Sequence, residues 1–246
     1  MTKQINALSV QNVTISYGAA PVVNEISLDI AQGETFGLIG LNGAGKTTLI
    51  KAILGLRGQE QGEISVLGRS SSNKSARENL AFLPERFEPP WFLSGVEFVK
   101  FSQKMYRQPF SEKKVYEMAE SLALDTKALK RRVQTYSKGM RQKLGLIATL
   151  LTQCNLLVLD EPMSGLDPRA RNLVKKMLVD HGAQKDRTIF LSSHILADMD
   201  EICDRVCVLD EGIIKFVGTP KQMKAETKAE NLEQSFLDLI EKKRAA

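Results

Sequence analysis

The stretch from Gly40 to Thr47 restricts the possible folds of this 246-residue chain more than any other feature. It reads Gly-Leu-Asn-Gly-Ala-Gly-Lys-Thr and satisfies the pattern G-x-x-x-x-G-K-[ST] at every fixed position. A short apolar run, residues 35–39, comes directly before it, and a run with helical character follows. A strand, a glycine-rich loop and a helix in that order predict a phosphate-binding loop within an α/β fold.

Each part of this loop suits the binding of an oligophosphate. Glycines let the backbone pass close to phosphate oxygens with its N–H groups turned inward, and the following helix directs its positive end to the same place. Lys46 adds a point charge near the terminal phosphates, and the Thr47 hydroxyl offers a hard oxygen to Mg²⁺. The predicted nucleotide-binding residues of this segment are Gly40, Leu41, Asn42, Gly43, Ala44, Gly45, Lys46, Thr47 and Thr48.

A second chemical signal lies at the end of the apolar run 156–159, where two carboxylates follow, Asp160 and Glu161. The carboxyl ends of parallel strands meet at one edge of a sheet, which places these side chains near the bound nucleotide. Asp160 is then positioned to hold Mg²⁺ through its bound water. Glu161 is positioned to accept a proton from an attacking water, so the pair predicts nucleotide hydrolysis.

Hydrophobic periodicity predicts how the rest of the chain is organised. Short β-type runs, some continuous and some alternating, are predicted at 26–30, 35–39, 156–159 and 188–191, and a hairpin joins 205–209 to 213–217. From about residue 94 to 151 a helical period dominates, and an amphipathic helix follows near the C-terminus. For that last helix, packing on its own domain is favoured over contact with a partner.

The charge balance and the apolar runs bear on location and partners. Lys and Arg exceed Asp and Glu by 34 to 29, for a net charge of +5, and the only dense basic cluster is 127–132. Such an excess suits nucleic acid or an anionic membrane surface, or reflects ordinary solvation. The first ten residues lack a sustained apolar stretch, and no run approaches the ~18 apolar residues of a membrane span. We therefore expect a cytoplasmic chain that reaches a membrane only through a partner.

The segment Tyr136-Ser137-Lys138-Gly139-Met140 resembles the signature L-S-G-G-Q of the ABC ATPase family. With the phosphate loop before it and the acidic strand after it, the chain resembles that family over nearly its whole length. The resemblance implies an α/β fold with a P-loop NTPase (RecA-like) core, an N-terminal antiparallel β part and an inserted α-helical subdomain. As one ABC ATPase domain, 1–246, it would comprise a core lobe (about 5–85 and 155–225), a helical subdomain (about 86–154) and a C-terminal amphipathic helix (about 229–243).

The resemblance also assigns roles at the site. It implies ATP and Mg²⁺ as cofactors, Lys46, Glu161 and His194 as catalytic residues, and Ser137 and Gly139 as nucleotide contacts from another subunit. Tyr17 stands where the family places an aromatic ring against adenine, although a surface tyrosine is the alternative. Residues 164–167 resemble the D-loop, which crosses between subunits. A dimer with two composite sites, formed with a second copy or a related cassette, follows from this pattern.

Two positions depart from the family pattern. Glu85, in Leu83-Pro84-Glu85, replaces a glutamine and is assigned as a third Mg²⁺ ligand beside Thr47 and Asp160, while Lys138 replaces a signature glycine. These variants together resemble cassettes made separately from the membrane subunits of exporters. Residues 85–92 then resemble the segment that contacts the membrane partner, although their aromatic side chains suit a core equally well.

The predicted function is that of an ATP-hydrolysing subunit which powers a membrane transporter, with an exporter favoured. Its predicted partner is an integral membrane subunit, which would hold the chain at the inner face of the cell membrane. The alternative is a soluble ABC ATPase that acts on nucleic acid or ribosomes. A long heptad insertion or a second cassette, typical of those proteins, is absent from the sequence, so no direct contact with nucleic acid is expected.

Overall fold

The computed structural model describes residues 6–18, 20–184 and 186–241, which form two β-sheets flanked by helices. The strands are β1 (Asn6–Ser16), β2 (Pro21–Ala31), β3 (Thr35–Ile39), β4 (Gln61–Val66), β5 (Arg69–Ser70), β6 (Leu80–Leu83), β7 (Leu156–Asp160), β8 (Thr188–Ser193), β9 (Arg205–Asp210) and β10 (Ile213–Gly218). The helices are α1 (Lys46–Ile53), α2 (Gly95–Met105), α3 (Glu112–Ser121), α4 (Lys138–Leu150), α5 (Pro168–Gly182), α6 (Leu196–Ile202), α7 (Pro220–Thr227) and α8 (Leu232–Glu241). Short 3₁₀ helices span Lys74–Arg77, Thr126–Lys130 and Val133–Thr135.

The larger sheet has the order β10-β9-β3-β8-β7-β6, and its strands from β9 to β6 run parallel. The smaller sheet, β2-β1-β4-β5, is antiparallel throughout. The P-loop α/β fold with an N-terminal antiparallel part is therefore confirmed. Strand β3 lies between β9 and β8, so the loop after it leaves from the middle of the parallel edge.

Apolar runs form the central strands because both faces of the larger sheet are covered. All residues of β3, β7 and β8 are buried. Along β3 the side chains alternate: Phe36 and Leu38 pack toward the small sheet and α1, whereas Ile39 packs toward the helices of the other face. The strands predicted at 35–39, 156–159 and 188–191 match in place, with β7 longer by one residue and β8 by two, whereas the run predicted at 26–30 is part of the longer strand β2.

The predicted hairpin between β9 and β10 is also confirmed. Glu211 and Gly212 form its turn with φ values of +48° and +76°. Two consecutive residues with positive φ are typical of the tight turns whose twist matches that of antiparallel strands. Gly212 tolerates this conformation without the steric cost of a side chain.

Helices α2, α3 and α4 lie between β6 and β7 in the chain and account for the helical period predicted there. A capping box starts α2: Ser94 Oγ accepts from the Glu97 N–H, and the Glu97 carboxylate accepts from the Ser94 N–H. The face of α4 with Leu144 and Ile147 is fully buried. The division of the chain into a core lobe and a helical subdomain stays a prediction.

The C-terminal amphipathic helix, predicted at about 229–243, is α8, which contacts α7, α6 and β10. Leu232 and Phe236 are buried in the core, as expected for packing on the same domain. The predicted positions 242 and 243 lie outside the described residues. Over the described ranges of the chain, no helix has the length and apolar character needed to cross a bilayer.

Candidate active site

The glycine-rich loop joins β3 to α1 in a conformation that requires glycine, because a Cβ at two of its positions would not fit. Gly45, immediately before α1, has φ +105°, and a Cβ there would come within 2.7 Å of the Val22 carbonyl oxygen. A Cβ on Gly40 would collide with the Leu209 carbonyl. Any larger residue at these positions would push the loop away from β2 and β9. The close packing of the loop against these strands therefore fixes its path.

A cleft opens between this loop and the carboxyl ends of β7 and β8. Its walls bring together residues from widely separated parts of the sequence. The residues that line it are Val22, Leu41, Asn42, Gly43, Gly45, Lys46, Thr47, Thr48, Glu85, Asp160, Glu161 and His194. The predicted acidic pair, the predicted histidine and most of the predicted loop residues thus meet around one space.

Five of the predicted site residues do not line the cleft. Gly40 and Ala44 belong to the loop but face the protein interior, where Ala44 packs into the core. Tyr17, Ser137 and Gly139 lie elsewhere on the chain. None of the five is among the described residues that form the cleft walls.

Lys46 is held by the loop that it follows. Its ammonium donates hydrogen bonds to the carbonyl oxygens of Gly40 at 2.7 Å and Leu41 at 3.2 Å. Burial lowers the pKa of this ammonium, while the carboxylates of Glu161, Asp160 and Glu85 oppose the shift. The cleft therefore holds a positive charge beside three carboxylates, at the place where the sequence predicts the terminal phosphates.

Asp160 is buried at the end of β7, opposite Ser192 of β8. The Ser192 hydroxyl donates to Asp160 Oδ1 at 2.5 Å and accepts from the Glu161 backbone N–H at 3.0 Å. Burial raises the pKa of Asp160; the Ser192 hydrogen bond lowers it, and the Glu85 carboxylate raises it further. A cation placed between Asp160 and Glu85 would relieve this repulsion.

Glu161 carries the feature of the cleft with the clearest catalytic geometry. Its Oε2 lies 2.8 Å from His194 Nδ1, across the edge of the sheet. Its backbone has φ +50°, a left-handed conformation that is uncommon for a residue other than glycine. Non-glycine residues in such conformations cluster at functional sites, where the surrounding structure holds them. The fold thus orients this carboxylate from both its backbone and its side chain.

The residues assigned to Mg²⁺ fit that ion. Thr47 supplies a hydroxyl oxygen, and Asp160 and Glu85 supply carboxylate oxygens, all at the same cleft. Mg²⁺ prefers hard oxygen ligands and is usually held by a few protein groups together with phosphates and water. The chemistry of this donor set therefore suits it, and the roles of the three residues stay predictions.

Tyr17 is 52% exposed, and the Arg57 guanidinium lies 4.4 Å from the centre of its ring. Arg57 also donates to the Ser16 carbonyl oxygen at 2.5 Å, which fixes the guanidinium beside the tyrosine. The cation covers one face of the ring. Stacking of adenine on Tyr17 stays a prediction, and it would use the ring face opposite Arg57.

Ser137 caps α4 by accepting a hydrogen bond from the Met140 N–H at 3.2 Å. The first turn of this helix packs closely on residues 164–166. A Cβ added to Gly139 would lie 3.5 Å from the Gly165 carbonyl oxygen, and one added to Gly165 would lie 3.0 Å from Lys138 Cε. We call residues 137–139 and 164–166 the signature surface. It contains most of the predicted signature and D-loop segments, and none of its residues lines the cleft of the same chain.

Sequence reasoning missed two residues of this site. Val22 lines the cleft from β2, a strand that belongs to the smaller sheet, and no local pattern marks it. Ser192 links Asp160 to the Glu161 backbone, and its position two residues before His194 at the end of a buried strand was an available signal.

Comparison with known proteins bears on the family of the chain. A family model described as "ABC transporter" matches residues 23–164. An uncharacterized ABC transporter ATP-binding protein of Synechocystis is 37% identical over 190 residues, 76% of this chain and 53% of that protein. The Nod factor export ATP-binding protein I of Rhizobium meliloti is 37% identical over 210 residues, 84% of this chain and 62% of that protein. The chain spans less than two thirds of the length of both relatives.

A solved structure, described as the ATP-binding subunit of an ABC transporter, superimposes with a TM-score of 0.85. It is 29% identical, and the match covers 95% of this chain and 99% of the other. The two chains therefore share their architecture from end to end of the solved structure.

Proposed function

The chain belongs to the ABC transporter family as an ATP-binding cassette, a P-loop ATPase, and we propose that it hydrolyses ATP to drive a membrane transporter. The observation that carries this proposal is the Glu161–His194 pair, at 2.8 Å, facing the phosphate loop across the cleft. A carboxylate oriented in this way supports hydrolysis in addition to nucleotide binding.

The chemistry follows from the positions of these groups. Water forms a bond to the γ-phosphorus as the bond to the β,γ-bridging oxygen breaks, and ADP leaves with that oxygen. Glu161 accepts the proton of the attacking water, while the Nδ1–H of His194 donates to Glu161 and holds its orientation. Lys46 exchanges its loop carbonyls for phosphate oxygens and stabilises the developing charge. Bound Mg²⁺ supplies further charge neutralisation at the phosphates.

The working unit is a dimer with two composite sites. The signature surface exposes a helix N-terminus with a capping serine, an arrangement that binds anions, yet none of its residues lines the cleft of its own chain. A second cassette facing the first would bring this surface over the bound phosphates. ATP-driven closure, hydrolysis and reopening then form the working cycle.

The membrane subunit docks on the segment that follows Glu85. This segment splits into two parts: Phe87 packs inward against Phe98 at a ring-centre distance of 5.5 Å, whereas Trp91 and Phe92 are 64% and 56% exposed. Phe87 therefore belongs to the core, and the exposed rings of Trp91 and Phe92 support the proposed contact with a partner. Since Glu85 lines the cleft, the segment runs from the nucleotide to an exposed apolar surface.

A basic residue lies beside this segment. The Val133 N–H donates to the Leu93 carbonyl oxygen at 2.8 Å, the Gln134 N–H donates to the Trp91 carbonyl oxygen at 3.1 Å, and Arg132, the last residue of the basic run 127–132, pairs with Ser94. Exposed apolar rings next to a basic residue suit a docking segment of the membrane subunit with apolar and acidic side chains. This contact would hold the chain at the inner face of the membrane.

The direction of transport is proposed to be export. The rhizobial relative is named as an export ATP-binding protein, and the similarity to this chain covers most of the present sequence. The variant signature and Glu85 also resemble the cassettes that are made separately from the membrane subunits of exporters.

Affinity capture of the chain from detergent-solubilised membranes of its host tests the membrane partner. We expect a polytopic membrane protein in stoichiometric amount, and its loss from a Trp91→Ala/Phe92→Ala variant whose ATPase activity is retained. The matched control is Leu56→Ala, which removes a side chain that is 68% exposed elsewhere on the surface. Recovery of ribosomes or DNA in place of a membrane protein would contradict the transport assignment and favour the soluble alternative.

A further inference from the structure

A buried glutamine connects the signature surface to the segment that follows Glu161. Gln142 lies one turn into α4 and is only 3% exposed. Its Nε2 donates to the Pro162 carbonyl oxygen at 3.0 Å, and both residues are buried. The bond spans twenty residues of sequence and joins a helix to the turn immediately after the proposed proton acceptor.

The geometry of α4 puts Gln142 on the same helix face as the signature residues. Lys138 and Gly139 precede it by four and three residues, the spacing that places side chains on one side of a helix. This face covers the turn 162–166, since Lys138 and Gly139 contact Gly165 while Gln142 contacts Pro162. One rigid face therefore reaches from the signature surface to the backbone next to Glu161.

The turn itself is constrained, which allows a displacement to pass along it. The Ser164 N–H donates to the Glu161 carbonyl oxygen at 3.0 Å, and Met163 between them is buried. Glu161 already occupies a left-handed conformation. A shift of the Pro162 carbonyl would therefore change the backbone of Glu161 and, with it, the direction of its carboxylate.

We propose that Gln142 is a positioning residue which couples the signature surface to Glu161. The nucleotide bound by a second cassette would contact and displace the first turn of α4. Gln142 then transmits the movement to Pro162 and so sets the orientation of the Glu161 carboxylate in the same chain. Hydrolysis in one composite site thereby depends on occupancy of the other. The inference rests on the proposed function, because it requires ATP hydrolysis by a dimer.

The test compares steady-state ATP hydrolysis of the wild-type chain with Gln142→Met and Thr149→Val. Methionine keeps the length of the side chain but has no donor. Thr149 is the matched control, because it is another buried polar residue of α4 whose hydroxyl donates only within the helix, to the Gly145 carbonyl at 2.8 Å. The measured quantities are kcat, the ATP affinity of the single chain, the Hill coefficient and the melting temperature.

We expect Gln142→Met to lower kcat about tenfold, the effect of one lost buried hydrogen bond, and to bring the Hill coefficient to about 1. ATP affinity should stay within about twofold, since Gln142 does not line the cleft. Thr149→Val should keep the kcat and Hill coefficient of the wild type. A purely structural role would instead lower the melting temperature of both variants and leave cooperativity unchanged.

A second variant, Gln142→Glu, keeps the proposal testable should methionine disturb the helix. An ionised carboxylate repels the Pro162 carbonyl, whereas a protonated one donates to it. Its kcat relative to the wild type should therefore rise as the pH is lowered from about 8 to about 6, because burial favours the protonated form.

The outcomes separate the two proposals. A wild-type chain without ATP hydrolysis would remove the proposed function and this inference together. An active, cooperative wild type, with a Gln142→Met variant that matches Thr149→Val in kcat and Hill coefficient, would overturn the role of Gln142 alone.

Discussion

The cleft and the signature surface both carry predicted site residues, yet their side chains are held very differently. In the cleft, Lys46, Asp160 and Glu161 are buried, and each has a hydrogen-bond partner at 2.5 to 2.8 Å. On the signature surface, Ser137 and Lys138 are exposed. The groups proposed to act on the phosphates are thus held in place by neighbouring residues, whereas those proposed to contact a partner's nucleotide lie exposed at the surface. The difference supports the proposal that one chain supplies half of each working site.

The largest effect should come from Glu161→Gln. The amide keeps the shape of the side chain but accepts no proton, so hydrolysis should fall by about 10²–10⁴-fold while ATP binding is retained. The variant should also accumulate as an ATP-bound dimer, visible by size-exclusion chromatography. Glu211→Gln is the matched control, because Glu211 also has a left-handed backbone, with φ +48°, but is exposed in a hairpin turn. Turnover of Glu161→Gln near the wild-type rate would remove Glu161 from its proposed role.

Lys46→Met should weaken ATP binding by about ten- to a hundredfold. The reason is the loss of a charge-assisted hydrogen bond to phosphate, worth about 1.5–3 kcal/mol. Isothermal titration calorimetry measures the affinity directly. Lys51→Met, on the exposed side of the same helix, removes an equal charge and should bind ATP as the wild type does. Equal affinities of the two variants would contradict the placement of the phosphates beside Lys46.

Asp160→Asn should have a smaller effect, and a stabilising one: it should raise the free energy of unfolding at neutral pH. Burial raises the pKa of Asp160 in the folded chain, so the folded state binds this proton more tightly than the unfolded state. The resulting stabilisation is present at low pH and is lost as pH rises through the raised pKa. At neutral pH the ionised carboxylate therefore costs stability that the amide does not.

Urea unfolding without nucleotide or Mg²⁺ checks this prediction. The variant should exceed the wild type by about 1 kcal/mol at neutral pH, and the difference should shrink as the pH is lowered. Asp29→Asn, on the exposed face of β2, serves as the control. A gain in stability that is independent of pH would show that burial of the charge is not its cause.

The sequence was sufficient for those features that depend on local patterns. The continuous apolar residues of β3 and the glycine-rich loop predicted a strand, a turn and a helix in the observed order, since burial on both faces and the phosphate loop leave few alternatives. Asp160 and Glu161 were placed at the cleft because parallel strand ends converge.

Features set by contacts between distant segments were beyond sequence reasoning. Val22 reaches the cleft, and Gln142 reaches Pro162, only because of how the sheet and α4 pack. The strand order also requires the three-dimensional arrangement, since β3 pairs with β8 and β9 rather than with its neighbours in sequence. The roles of Tyr17 and Glu85 depend on nucleotide and metal and stay predictions.

The claim that each working site combines two chains can be tested by mixing two inactive variants. Glu161→Gln disables the cleft, and Gly139→Asp disables the signature surface by opposing the phosphates with a negative charge. The second variant should fold, because a Cβ at Gly139 meets no atom closer than 3.5 Å and an acidic residue in the first turn favours a helix. In a mixed dimer, the intact cleft of one chain faces the intact signature surface of the other. We expect the mixture to regain ATP hydrolysis above the sum of the separate variants, at a rate reduced by the loss of the Gln142 coupling in the chain whose signature surface is altered; a mixture no more active than that sum would contradict the composite site.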